Sequence, residues 1–109
     1  GGGRNQRNQY GDNDMQNQIT IENGPRNDLG WTVGTVTCDG IAYDFNVKHY
    51  DEPSVFGIKH GRISKLWLRR QGETRAVLSF DRGWERGYSL KGKGEAVNAI
   101  YEALIAKFN

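Results

Sequence analysis

The 109-residue chain has one cysteine, one methionine, two prolines and no long apolar run. A single thiol, Cys38, excludes an internal disulfide and a zinc site built on cysteines. It fits a reducing compartment, so a cytoplasmic location is the expectation. No stretch approaches the ~20 apolar residues that a spanning helix needs, and no leader with an apolar core is present, so no membrane partner is expected. An excess of one charge is lacking too. The 15 Lys and Arg against 13 Asp and Glu leave a net charge of +2. That excludes a nucleic-acid coat working by bulk charge, and any role with nucleic acid needs local clustering.

Apolar residues are also scarce, at 36%, and the scarcity is local. Residues 1–18, GGGRNQRNQYGDNDMQNQ, are almost entirely Gly, Asn, Gln, Arg and Asp. Such a segment buries too little apolar surface to offset its ordering entropy, which predicts a disordered tail or linker. Residues 19–109 then form a single domain. The chain starts with Gly rather than Met, which predicts a processed or excised piece, or added leading residues. Met15 is an alternative start, with residues 1–14 as a leader or linker.

Four strands and one helix follow from pattern. Trp31 to Cys38, WTVGTVTC, is rich in β-branched residues. Ile41 to Tyr50 alternates, with Ile41, Tyr43, Phe45 and Val47 on one face. Asp39-Gly40 between them predicts a two-residue type I′ hairpin. That turn sets Cys38 opposite Ile41, Val36 opposite Tyr43, Gly34 opposite Phe45 and Trp31 opposite Lys48. It gathers the apolar rows on one face, with Phe45 expected to lie over the bare backbone of Gly34. DEPSVFGIKHG reads as a loop. RISKLWLRR puts Leu66 and Leu68 on one face and Lys65, Trp67 and Arg69 on the other. Thr74 to Asp81 puts Ala76, Leu78 and Phe80 together. A three-residue loop, Arg70-Gln71-Gly72, keeps the two apolar rows on one side. It predicts Leu66 opposite Ala76, Trp67 opposite Arg75 and Arg69 opposite Glu73.

A second long loop, DRGWERGYSLKGKG, carries a candidate short strand at Tyr88 to Leu90. After Gly94, the residues Val97, Ile100, Tyr101, Leu104, Ile105 and Phe108 recur at three- and four-residue steps. That is an amphipathic helix, with Glu95 near its start and Lys107 near its end as the helix dipole favours. The fold class is therefore α+β. An antiparallel four-stranded sheet, five-stranded if Tyr88–Leu90 joins it, carries one C-terminal helix on its apolar face. The other face has no element left to cover it. Solvent, a second copy or a ligand must meet it.

This open face collects Trp31, Lys48, Lys65, Trp67, Arg69 and Arg75. Aromatic rings stack bases and cations meet phosphates, so these are the candidate contacts for single-stranded DNA or RNA. Cross-strand Trp-Arg and Trp-Lys pairs also serve as plain cover for a sheet, and a tryptophan-rich face is also where a homodimer or a partner protein docks. Arg82, Trp84 and Arg86 form a secondary loop surface. The bland alternative there is a turn held by Asp81 and Arg82, with Trp84 plugging the sheet edge. No metal or other cofactor is expected. His49, Asp51, Glu52 and His60 match no metal-ligand spacing, and His49 at the end of its strand reads as a surface or packing histidine. No nucleophile–base pair is suggested, and Cys38 reads as a small core hydrophobe. The best enzymatic alternative is a nuclease-like site from Asp51, Glu52, His60 and Asp81. The favoured reading is non-enzymatic.

YDEPSVFGIKHGRISKLWLR followed by FDRGW resembles a family of short uncharacterised domains in phage and mobile-element proteins of Gram-positive bacteria. Those domains share a Trp-x-x-Gly strand, here Trp31 to Gly34, a Gly-centred turn, here Gly40, and an aromatic-rich strand, here Tyr43 to Lys48. The resemblance covers about Trp31 to Trp84 and implies a bacterial or phage cytosolic origin but no activity. The order of four antiparallel strands and a helix is similar in topology to the p15 (positive cofactor four) fold. That likeness implies a dimer that binds single-stranded DNA. The alternative to nucleic-acid binding is a protein-interaction module, such as a phage-encoded modulator of a host protein.

Overall fold

The computed structural model describes residues 18–109. Most of the expected tail, and Met15 with it, lies outside the described residues. Gln18 belongs to the domain: its N–H donates to Asp39 Oδ1 (3.0 Å), and its carbonyl accepts from the Asp39 N–H (3.1 Å).

The sheet is a five-stranded antiparallel meander of β1 (Ile19–Asn23), β2 (Trp31–Cys38), β3 (Ile41–His49), β4 (Ile63–Arg70) and β5 (Leu78–Asp81), and its spatial order equals its sequence order. One helix, α1 (Glu95–Phe108), follows. Among the described residues no helix is long and apolar enough to cross a membrane.

The β2–β3 hairpin has the expected register throughout, from Cys38 opposite Ile41 to Trp31 opposite Lys48. Asp39 and Gly40 take positive φ of 52° and 85°, the pair of left-handed residues that a type I′ turn demands. Val36, Cys38, Tyr43, Phe45 and Val47 are buried together on one face, and Ile41 beside the turn is exposed.

The β4–β5 connection corrects the expectation. Leu66 lies opposite Phe80, Trp67 opposite Ser79 and Leu68 opposite Leu78. The loop is therefore longer than three residues, and β5 begins at Leu78 rather than Thr74. A turn does form at Arg70–Glu73, where the Glu73 N–H donates to the Arg70 carbonyl (3.1 Å) and Gly72 has φ 91°. The chain then runs unpaired until the Val77 N–H donates to the Leu68 carbonyl (2.7 Å). The shift of four residues, an even number, keeps the side chains of Leu78, Ser79, Phe80 and Asp81 on their expected faces. It also matches Leu78 and Phe80 with Leu68 and Leu66, which buries more apolar surface than Ala76 against Leu66 would.

The fifth strand is β1, not Tyr88–Leu90, which stays in a loop. It pairs with β2, Ile21 facing Val36 and Asn23 facing Gly34. Gly34 does lie opposite Phe45, but β1 takes the space that its missing side chain leaves. A Cβ there would run into the Glu22 carbonyl and Asn23 Cα.

Helix α1 lies on the apolar face, with Val97, Ile100, Tyr101 and Leu104 buried. Gly94 caps its start, its carbonyl accepting from the Asn98 N–H (3.2 Å) and side chain (2.7 Å). Each fully buried large residue, such as Phe45, Leu66, Leu68 or Ile100, contributes about 2 kcal/mol. At the helix end, Asn109 clips the β3–β4 connection. Its Oδ1 accepts from the Ile63 N–H (2.9 Å) and its Nδ2 donates to the Ile58 carbonyl (3.1 Å). The amide lies against Gly61, where a Cβ would overlap it.

Candidate binding face

Strand alternation puts Trp31, Val33, Asp44, Asn46, Lys48, Lys65, Trp67, Arg69, Ser79 and Asp81 on the face away from α1. Five of the six candidate contacts from the sequence therefore share that face. Arg75 is the correction. The shifted register gives Ser79 the place opposite Trp67, and Arg75 sits in the β4–β5 connection with its guanidinium 5.5 Å from the Tyr88 ring centre.

The cations of the face are already engaged. Arg69 pairs with Asp44 across β3–β4 at 3.1 Å, not with Glu73, and its guanidinium carbon lies 5.5 Å from the Trp67 ring centre. Lys65 pairs with Asp81 across β4–β5 at 3.6 Å. Lys48 Nζ stands 6.0 Å from the Trp31 ring and 5.8 Å from the Tyr50 ring. Asp44 also accepts from Gln71 Nε2 (2.9 Å), and the Gln71 and Arg69 hydrogen bonds hold its carboxyl below the usual carboxylate range.

Between the tryptophans runs a groove of about 260 Å³, lined by Trp31, Asn46, Lys65, Leu66, Trp67, Ser79, Phe80, Asp81 and Glu85. Glu85 reaches it because the loop after β5 folds back along that strand. The Glu85 N–H donates to the Ser79 carbonyl (3.1 Å), and its carboxylate accepts from the Ser79 hydroxyl. The sequence did not mark Ser79, and it marked Glu85 only as one of the charges of the DRGWERG loop, with no contact role.

The same loop sends Trp84 to the opposite side. Trp84 meets Phe80 edge-on, ring centres 5.4 Å apart, and tilts against Tyr101 of α1 at 5.9 Å. It plugs the β5 edge, as the bland alternative had it, and does not join Trp67. Arg82 and Arg86 are exposed on this loop, with Arg82 Nε 3.6 Å from Asp81.

His49 packs into the domain. Its ring lies 5.0 Å from that of Phe108, and its Nε2 is 2.9 Å from Thr32 Oγ1. Burial, with the Arg26 charge as a lesser cause, pushes its pKa down from the ordinary 6.5. Asp51 is tied to Arg26 at 2.9 Å. Among the described residues no three of His, Cys, Asp and Glu gather to hold a metal ion, so Asp51, Glu52, His60 and Asp81 make no such centre. Cys38 is buried.

No curated protein and no solved structure matches this chain. A family model matches residues 30–109, from the residue before β2 to the residue after α1, and the chain accordingly belongs to the domain of unknown function family DUF7678.

Proposed function

We propose that this domain is a non-enzymatic binding module for a partner protein, and that the open sheet face is its contact surface. One observation carries the reading: a groove walled by Trp31 and Trp67 on a face where Lys65 and Arg69 are held in ion pairs with Asp81 and Asp44. Tryptophan is the side chain most often central to a protein interface. Lys65 and Arg69 already hold carboxylates, and Glu85 adds another. A polyphosphate backbone laid here would meet Asp44, Asp81 and Glu85, whereas a polypeptide of mixed polarity would meet paired charges and aromatic walls. In the phage or mobile-element setting implied by the resemblance of residues 31–84, the partner is a host protein.

The second reading, single-stranded nucleic acid, is favoured by Lys48. No carboxylate among the described residues pairs with it, and it stands beside two aromatic rings that could stack bases.

One experiment separates them. A displayed random-peptide library is selected on the full chain, and the winners are measured by calorimetry against the full chain and Trp67→Ala. The protein reading expects peptides whose affinity falls about 30-fold or more in the variant and changes little with salt. No Trp67-dependent peptide, together with oligothymidylate binding that weakens steeply as salt rises, overturns it in favour of nucleic acid.

A further inference from the structure

The two edges of the sheet are unlike. At β5 the chain closes its own edge. The Asp81 N–H donates to the Gly83 carbonyl (2.8 Å), the Ser79 carbonyl accepts from Glu85 (3.1 Å), and Phe80 bridges to Trp84. At β1 no described residue does this.

The hydrogen-bond phase of β1 follows from its ends. Asp39 donates to the Gln18 carbonyl and Gly24 donates to the Val33 carbonyl. With Gln18 and Gly24 bonded toward β2, antiparallel alternation directs Thr20 and Glu22 toward β2 as well. The N–H and C=O groups of Ile19, Ile21 and Asn23 therefore point away from the sheet. An open row of this kind is a template for another strand. Proteins that avoid pairing blunt it with charged side chains, lysine above all, with proline or with a bulge. ITIEN has no lysine, proline or bulge, its one charge is Glu22, and its first three residues are β-branched.

We propose that β1 pairs antiparallel with β1 of a second copy of this chain, about a two-fold axis at Ile21, to make one continuous ten-stranded sheet. With that axis, Ile21 exchanges both backbone hydrogen bonds with Ile21 of the second copy, and Ile19 does so with Asn23. Thr20 then stands opposite Glu22, so no like charges meet. Ile19 and Ile21, half-buried in one copy, join a continuous apolar strip on the helix side. Closure argues for a second copy rather than an unrelated strand. Among the described residues each copy offers one open edge, so pairing stops at two and yields a closed dimer rather than a fibre. The axis stands perpendicular to the sheet, so both open faces end on the same side.

The full chain is tested by sedimentation. A species of twice the 12.3 kDa chain mass is expected, and Ile21→Pro should be monomeric. Proline at this position deletes a donor that points outward and leaves the β1–β2 ladder whole; Ile21→Val, which keeps the donor, should remain dimeric. The register is tested by Thr20→Cys with Glu22→Cys. Oxidation with copper phenanthroline should join two chains through the introduced thiols, and Thr20→Cys alone should not. A monomeric full chain at high micromolar concentration overturns the proposal. So does a dimer that Ile21→Pro leaves intact while circular dichroism shows the variant folded.

Discussion

Replacing Asn109 by alanine tests whether one side chain at the end of α1 holds the β3–β4 connection. Ile63 is fully buried, and Asn109 Oδ1 is the acceptor for its N–H. Removing it leaves a buried donor without a partner, which costs about 1–3 kcal/mol. The Ile58 carbonyl loses a donor as well. A loss of about 2 kcal/mol is expected for Asn109→Ala, equivalent to a fall in Tm of about 8–16 °C for a domain of this size. Gly61 supplies a sharper arm. Its φ of −102° suits any residue, so the cost of Gly61→Ala is the overlap of the new methyl with the Asn109 amide, about 1–3 kcal/mol. Once the amide is gone that overlap is gone, and the double variant should be more stable than the sum of the single losses by about 1 kcal/mol or more. Urea unfolding followed by tryptophan fluorescence measures all four proteins. A loss below about 0.5 kcal/mol for Asn109→Ala would mean that water takes over its bonds, and strict additivity would mean that the amide does not rest on Gly61. Either result refutes the reasoning.

Three further outcomes are expected. Burial keeps His49 neutral in the fold, so its contribution is whole above its ordinary pKa of 6.5 and is lost as pH falls below that value toward the folded-state one; acid titrations of stability should show this limb in the full chain and not in His49→Gln. Asp44, held ionised by Gln71 and Arg69, acts lower: its contribution is whole above its ordinary 3.8 and is lost below it, and Asp44→Asn should flatten that part of the curve. Gly34→Ala should push β1 off β2 at a cost of about 1–3 kcal/mol, read as faster amide exchange at Thr20 and Glu22 with protection in β3 and β4 retained.

The β2–β3 hairpin was legible residue by residue, because Asp39-Gly40 fixes the turn and the alternation of Ile41, Tyr43, Phe45 and Val47 permits one face only. The helix was legible to its ends. The β4–β5 register was not. Alternation excludes odd shifts and is blind to even ones, and the choice between them rests on how Leu78 and Phe80 pack, which a turn at Gly72 does not report. Strand β1 carries two apolar residues beside a polar tract, and its place depends on the notch at Gly34 and on the Gln18–Asp39 bonds, contacts between distant positions. For the same reason Trp31, Lys48, Lys65, Trp67 and Arg69 could be put on one face from parity alone. The Asp44–Arg69 and Lys65–Asp81 pairs that change the character of that face needed the β3–β4 and β4–β5 registers.

The order of elements also sets a timetable. Each strand pairs with the one before it, so the sheet can zip up as the chain emerges, by pairings between strands adjacent in sequence. Its cover comes last, because the 14 residues of α1 follow every strand. At ~5–20 residues per second of synthesis, those residues take ~1–3 s to appear. In that interval Val36, Phe45, Val47, Leu66 and Leu68 form a finished but uncovered apolar wall. A nascent chain stalled before Glu95 would present that wall to its neighbours, so aggregation during synthesis should depend more on the speed of translating α1 than on the stability of the finished domain.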